Sequence, residues 1–136
     1  MTAPGGHCWF FGGEAEGTEA IRETVRRAIE RGADVIKVTA TGGGITKGGP
    51  PVWAAQFTVA ELDVVVQEAR RAGLPVAAHA HGTEGIAAAV AAGVDTIEHC
   101  TWVSRDARRS GRSPQEGPRG SASSGPPQPP LSSRRR

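Results

Sequence analysis

The sequence predicts an α/β fold built from parallel β/α units, and three observations carry that prediction. Between Thr18 and His99 an amphipathic helical stretch followed by a short apolar strand occurs three times, each helical stretch closed by a glycine. Along each strand the side chains sort by parity into two faces, because successive residues point to opposite sides of a sheet. One face of each strand ends in a polar, ligating group. Lys37 lies five residues beyond Gly32, and His79 and His99 each lie six beyond Gly73 and Gly93.

The first helix is expected to open with Thr18 as N-cap, to place Ile21, Val25 and Ile29 on one stripe, and to stop at Gly32. The strand ADVIKVTA follows, with Val35, Lys37 and Thr39 on one face and Ile36, Val38 and Ala40 on the other, where a helix can cover them. The second helix opens with the Thr58 to Glu61 capping-box pattern, buries Leu62, Val65, Val66 and Ala69, and ends at Gly73. LPVAAHAH reads as its strand, with Pro75, Ala77, His79 and His81 sharing a face. The third helix runs from about Thr83 to Ala92, opened by Gly82 or Thr83, and leads from Gly93 into VDTIEHC, where Asp95, Ile97 and His99 share a face by parity. Lys37, His79 and His99 are therefore expected to converge at the C-terminal ends of neighbouring strands, where α/β barrels and open sheets place their sites.

Composition divides the 136 residues at about Val103. Residues 1–103 carry 8 Lys/Arg against 12 Asp/Glu, a net −4, whereas 104–136 carry 8 Arg against Asp106 and Glu116, a net +6. A uniform basic face for nucleic acid is thereby excluded for the first part, and specific nucleic-acid binding is not expected. The Arg-rich tail, with 8 Ser and 6 Pro and only Ala107, Ala122 and Leu131 apolar, is expected to be disordered. Domains are accordingly read as 1–103 and 104–136. The uncharged run Gly85 to Val94 has ten residues, too few to cross a bilayer, so no membrane association is expected. The N-terminus lacks a secretory pattern, and Cys8 and Cys100 make no disulfide framework, which reads as a cytoplasmic chain with reduced thiols.

An amine among Val35, Ile36 and Val38 must shift its pKa or be modified if it is buried, so Lys37 is a candidate for Schiff-base or carbamate chemistry, with a snorkelling lysine as the ordinary alternative. His79 and His99, at matching depth on consecutive strands, suit a divalent metal, because neutral imidazoles on rigid elements hold fixed distances; His81 stands on the same face as His79. The loop TGGGITKGGPPVW has five glycines but fails both phosphate-binding spacings, and reads as a loop that lets backbone approach a ligand. His7 sits in a second glycine-rich loop, GGHCWFFGG, whose Trp9, Phe10 and Phe11 could line a pocket or pack on the domain. The pairs His7-Cys8 and His99-Cys100 lack Cys-x-x-Cys spacing, and no G-x-S-x-G elbow is present.

Taken together, GGHCW, VIKVTATGGG, QFTVAELDVVVQEARRAGLPVAAHAHG and GVDTIEHC resemble the amidohydrolase superfamily, in its imidazolonepropionase-like and prolidase-like branch. The resemblance spans about Gly5 to Val103. It implies a partial (β/α)8 TIM barrel holding roughly strands four to six, in a family whose complete fold binds one or two divalent ions, usually zinc, and hydrolyses C–N bonds. It implies that Lys37 corresponds to a carboxylated, metal-bridging lysine, that His79 and His99 are metal ligands, and that His81 and His7 lie close to substrate. The family's first-strand His-x-His pair and eighth-strand aspartate have no counterpart, and the pattern is left after Trp102, as in a truncated or frame-shifted fragment.

The function expected on this basis is a metal-dependent amidohydrolase for Xaa-Pro dipeptides or cyclic amides, with catalysis by this chain alone impaired. Two alternatives stand beside it. One is a non-enzymatic fragment or interaction module that self-associates through open sheet edges. The other is a small doubly wound domain binding a phosphorylated ligand, which requires helices on both faces of the sheet.

Overall fold

The structure, a computed structural model, describes residues 1–103; the expected tail of 104–136 lies outside the described residues. A short 3-10 turn at Trp9–Phe11 precedes α1 (Thr18–Glu30), β1 (Ile36–Thr39), α2 (Val59–Arg71), β2 (Val76–Ala80), α3 (Thr83–Ala92) and β3 (Thr96–His99). The strands form one parallel sheet in the order β1-β2-β3, with Thr39 beside His79 and His79 beside Glu98. This is the mixed α/β arrangement of successive β/α units expected of part of a barrel.

Each helix begins and ends for a local reason. At α2 the capping box forms in full: the Glu61 amide donates to Thr58 Oγ1, and the Thr58 amide donates to Glu61 Oε2 at 2.8 Å. Gly32, Gly73 and Gly93 follow the three helices with φ of 81°, 71° and 77°, a left-handed conformation that relieves the last turn at no side-chain cost. At α1 the expected cap is displaced by one residue. Gly17 is the N-cap and Thr18 is already helical, without a side-chain cap bond.

A single apolar cluster holds the layers together. Ile36, Val38 and Ala40 of the first unit and Val76, Ala78 and Ala80 of the second meet Ile21 and Val25 of α1, Leu62, Val65, Val66 and Ala69 of α2, and Ile86 and Ala89 of α3, all essentially removed from water. Among the described residues the helices thus cover one sheet face, contrary to the doubly wound alternative. Between α1 and α2 the Glu68 carboxylate, only 4% exposed, takes hydrogen bonds from Arg22 (2.5 Å), Arg26 (2.9 Å) and Arg71. Burial works to raise its pKa, but the hydrogen bonds from Arg26 and Arg22 outweigh that, so Glu68 titrates below the usual range.

The uncovered face departs from expectation in two places. The Lys37 side chain is 39% exposed and pairs with Glu98, itself 51% exposed, rather than lying buried among valines. On β3 the register sets Ile97 beside Ala78 and Glu98 beside His79, so Glu98, and not Asp95, Ile97 or His99, follows the parity of the Lys37 face. Ile97 instead packs against the apolar cluster. No described helix is long and apolar enough to cross a membrane.

Two substitutions on α2 should separate core packing from capping. Leu62→Ala removes a fully buried side chain and should cost about 2–5 kcal/mol, whereas Thr58→Ala should cost about 1 kcal/mol. Urea unfolding of both variants measures this, and an equal loss in the two would contradict the assigned roles.

Candidate metal centre

Three histidines meet where β2 and β3 end. His79 is the fourth residue of β2, buried to 7% exposure, and its Nε2 lies 3.1 Å from the Gly42 carbonyl oxygen. A carbonyl can only accept, so Nε2 carries the proton and Nδ1 keeps its lone pair free. His81 follows just past the strand, with Nδ1 2.7 Å from Thr101 Oγ1. His99 closes β3. Its register partner is Ala80, a residue of the helix-covered face, yet its ring stands 4.7 Å from that of His79 and stacks on His81 at 4.5 Å. The left-handed φ of 75° at His99 breaks the strand alternation and turns the imidazole to the open face. One nitrogen from each of His79, His81 and His99 falls within 4.8 Å of the others.

Loops complete the surroundings. The His7 ring packs on His79 with centroids 4.5 Å apart, and its Nδ1 meets Thr46 Oγ1 at 2.9 Å. Gly43 lies flat against that ring, where a Cβ would overlap the imidazole, which explains a glycine in this loop better than any phosphate cradle. Gln56 ties the two loops to the sheet: its Oε1 accepts from the His7 amide at 2.9 Å, and its Nε2 donates to the carbonyls of Thr39 (2.8 Å) and Thr41 (2.7 Å). A cavity of about 420 Å³ opens beside the cluster, lined among others by His7, Cys8, Phe11, Lys37, His79 and Glu98.

Charge in this corner is held down by burial and crowding. Burial, with the neighbouring histidines, lowers the His79 pKa to about 4, the Gly42 hydrogen bond opposing part of the shift. His7 and His81 are lowered as well, by burial first and then by nearby imidazoles. All three are therefore neutral near pH 7, the form that ligates metal. The hydrogen bond from Lys37 is the main cause that lowers the pKa of Glu98. Imidazole nitrogens such as those of His79, His81 and His99 suit the borderline-soft chemistry of a zinc-like ion.

The five residues singled out in the sequence thus divide. His79, His81 and His99 are brought together, His7 packs against His79, and Lys37 stands one strand away in its pair with Glu98. Sequence reasoning missed Glu98, Thr101, Gly42 and Gln56. Glu98 was legible only with the register in hand, and the others act through backbone or hydroxyl groups that no spacing marks.

Comparison with known proteins gives relatives in both sequence and structure. A profile of the amidohydrolase family matches residues 2–109. Ochratoxinase from Aspergillus niger is 45% identical over 92 residues, 68% of this chain and 19% of that protein, so the chain spans about a fifth of the curated relative's length. Among solved structures, a Xaa-Pro dipeptidase with methionine bound in its active site superposes with a TM-score of 0.71 at 36% identity, covering 81% of this chain and 30% of that one. A prolidase complexed with N-methylphosphonate-L-proline gives a TM-score of 0.62 at 38% identity, covering 69% and 23% of the two chains.

The lowered histidine pKa values predict how stability responds to acid. Because His79 takes up a proton near pH 4 when folded but near pH 6.5 when unfolded, the unfolded state gains protons first as pH falls. The His79 contribution to the stability of the metal-free chain should therefore be fully present above about pH 7 and decline between there and pH 4. The lowered carboxylates Glu61, Glu68 and Glu98 add their loss only below the ordinary Glu range. Urea unfolding at half-unit pH steps should show the first decline already between pH 7 and 5, and His79→Phe should flatten it.

Proposed function

The chain belongs to the amidohydrolase family, and from that premise we propose that it forms part of the active site of a metal-dependent hydrolase of C–N bonds in small molecules. Xaa-Pro dipeptides and cyclic amides are the proposed substrate class, supported by the likeness to a dipeptidase and to a prolidase with a bound proline analogue. The observation that carries this reading is the convergence of His79, His81 and His99 at the C-terminal edge of a parallel sheet.

In the proposed site His79 and His99 hold a divalent ion, zinc by the chemistry of the donors, with His81, which the resemblance places close to substrate, near enough to serve as a third donor, and Lys37 joining after carboxylation. Such an ion, when bound, polarises a scissile carbonyl and lowers the pKa of water. The chain's own residues then have separate tasks. The Gly42 carbonyl accepts from His79 Nε2–H and so fixes the tautomer, leaving the Nδ1 lone pair for a ligand. Buried His7, steadied by Thr46 and Gln56, packs on His79 and lines the same cavity, where its ring can contact a substrate. The cavity volume suits a molecule of dipeptide size, and Phe11 offers it an apolar wall.

Calorimetric zinc titration tests the ligand set. Wild type should bind, and His79→Ala and His99→Ala should each weaken binding by roughly 10–100-fold or more. Bicarbonate should tighten binding to wild type and leave Lys37→Ala unaffected. Unchanged affinity in both histidine variants would refute the site, and an equal bicarbonate response in Lys37→Ala would refute the carboxylated lysine.

A further inference from the structure

The end of β3 holds two consecutive non-glycine residues in the left-handed region, His99 at φ 75° and Cys100 at φ 48°. Such conformations are rare for residues with a Cβ and persist only where surrounding structure imposes them. Here they end the strand and keep the next residues against the end of β2. The Cys100 amide donates to the Ala80 carbonyl at 3.0 Å, and the Trp102 amide donates to the His81 carbonyl at 3.0 Å. Thr83 Oγ1 then donates to the Trp102 carbonyl at 2.6 Å, tying the segment to the start of α3. Between these anchors Thr101 Oγ1 stands 2.7 Å from His81 Nδ1.

From this arrangement, and resting on the metal-site reading above, we infer that residues 99–102 form a clamp that sets the ring orientation of two of the three histidines, with Thr101 as the positioning residue for His81. The left-handed bend turns the His99 ring away from the helix-covered face, where strand parity would put it. The same bend delivers the Thr101 hydroxyl to His81 Nδ1, and with Nδ1–H donating to Thr101 Oγ1 the Nε2 lone pair is left for a ligand. His81 is half-exposed and lacks the burial that fixes His79, so a hydrogen bond must do what packing does there. Stacking of His81 on His99, with ring planes 12° apart, follows from both rings being held by one segment.

Cobalt(II) titration of the full chain, read by calorimetry and by the visible d–d spectrum, tests the clamp. Thr101→Val, nearly isosteric but without the hydroxyl, should raise the cobalt Kd by about 10–100-fold and change the spectrum, while the metal-free melting temperature stays near wild type. Thr101→Ser should restore both readouts. Cys100→Val, whose β-branched side chain resists the left-handed conformation, should weaken cobalt binding similarly, and Cys100→Gly should keep it. Wild-type affinity and spectrum in Thr101→Val would overturn the inference, and that arm decides even if Cys100→Val fails to fold. If wild type takes no cobalt, the metal reading fails on its own, and imidazole ¹⁵N shifts of the metal-free chain still decide the clamp. A single His81 tautomer in wild type that becomes a mixture in Thr101→Val supports it, and identical shifts in the two overturn it.

Discussion

The two-sidedness of the parallel sheet is the constraint on which the rest of the structure depends. Side chains of one parity, Ile36, Val38, Ala40, Val76, Ala78 and Ala80, are sealed beneath helices in a single apolar cluster. Once that face is buried, residues of the other parity have no choice of direction, because slipping by one position would put valines in water and a histidine in the core. The chemistry of the chain is therefore a consequence of its packing. His79 points at the cavity because Ala78 and Ala80 point at α2 and α3. The Glu68 network acts to the same end from outside, since a buried carboxylate shared by arginines of α1 and α2 fixes how those helices lie together.

Crowding imidazoles has an electrostatic consequence that works in favour of a ligand site. Protonating His79 would bury a charge beside His7, His81 and His99, and its pKa of about 4 reflects that penalty. Stability is thus given up in acid so that lone pairs are available at neutral pH. The left-handed residues at His99 and Cys100 represent a second sacrifice, of about 1–2 kcal/mol each for a side chain in that conformation. Both costs fall within one corner of the fold, which is where strain and unfavourable burial are expected when geometry serves chemistry.

Most of the scaffold was legible in the sequence because it rests on local signals. Apolar periodicity, the Thr58–Glu61 box and the glycines after each helix mark α1, α2 and α3 within a residue or two. The Thr18 cap was misplaced by one residue because Gly17, with φ of 78°, takes that position. The site was legible in composition but not in detail. Parity correctly sorted β1 and β2, where alternation is regular, and failed on β3, where it predicts Asp95, Ile97 and His99 and the structure presents Thr96 and Glu98. A backbone reversal at a histidine leaves no mark in residue type. Hydrogen bonds from Gln56, Thr101 and the Gly42 carbonyl are likewise tertiary facts, set by loops that meet only after the sheet has formed.

The pair of Lys37 and Glu98 shows how the proposed chemistry would alter its own surroundings. As drawn by the fold, an ammonium on β1 and a carboxylate on β3 attract each other across β2, at the same level as His79. Exposure of both groups keeps that attraction modest in the metal-free chain. Carboxylation of Lys37 would replace a positive charge by a negative one, so that attraction would become repulsion and Glu98 would lose the hydrogen bond that lowers its pKa. Two anions flanking a neutral histidine are stabilised most simply by a cation between them. In the proposed site metal uptake and lysine modification would therefore reinforce each other, each removing the electrostatic objection to the other, with Glu98 as the group that feels both.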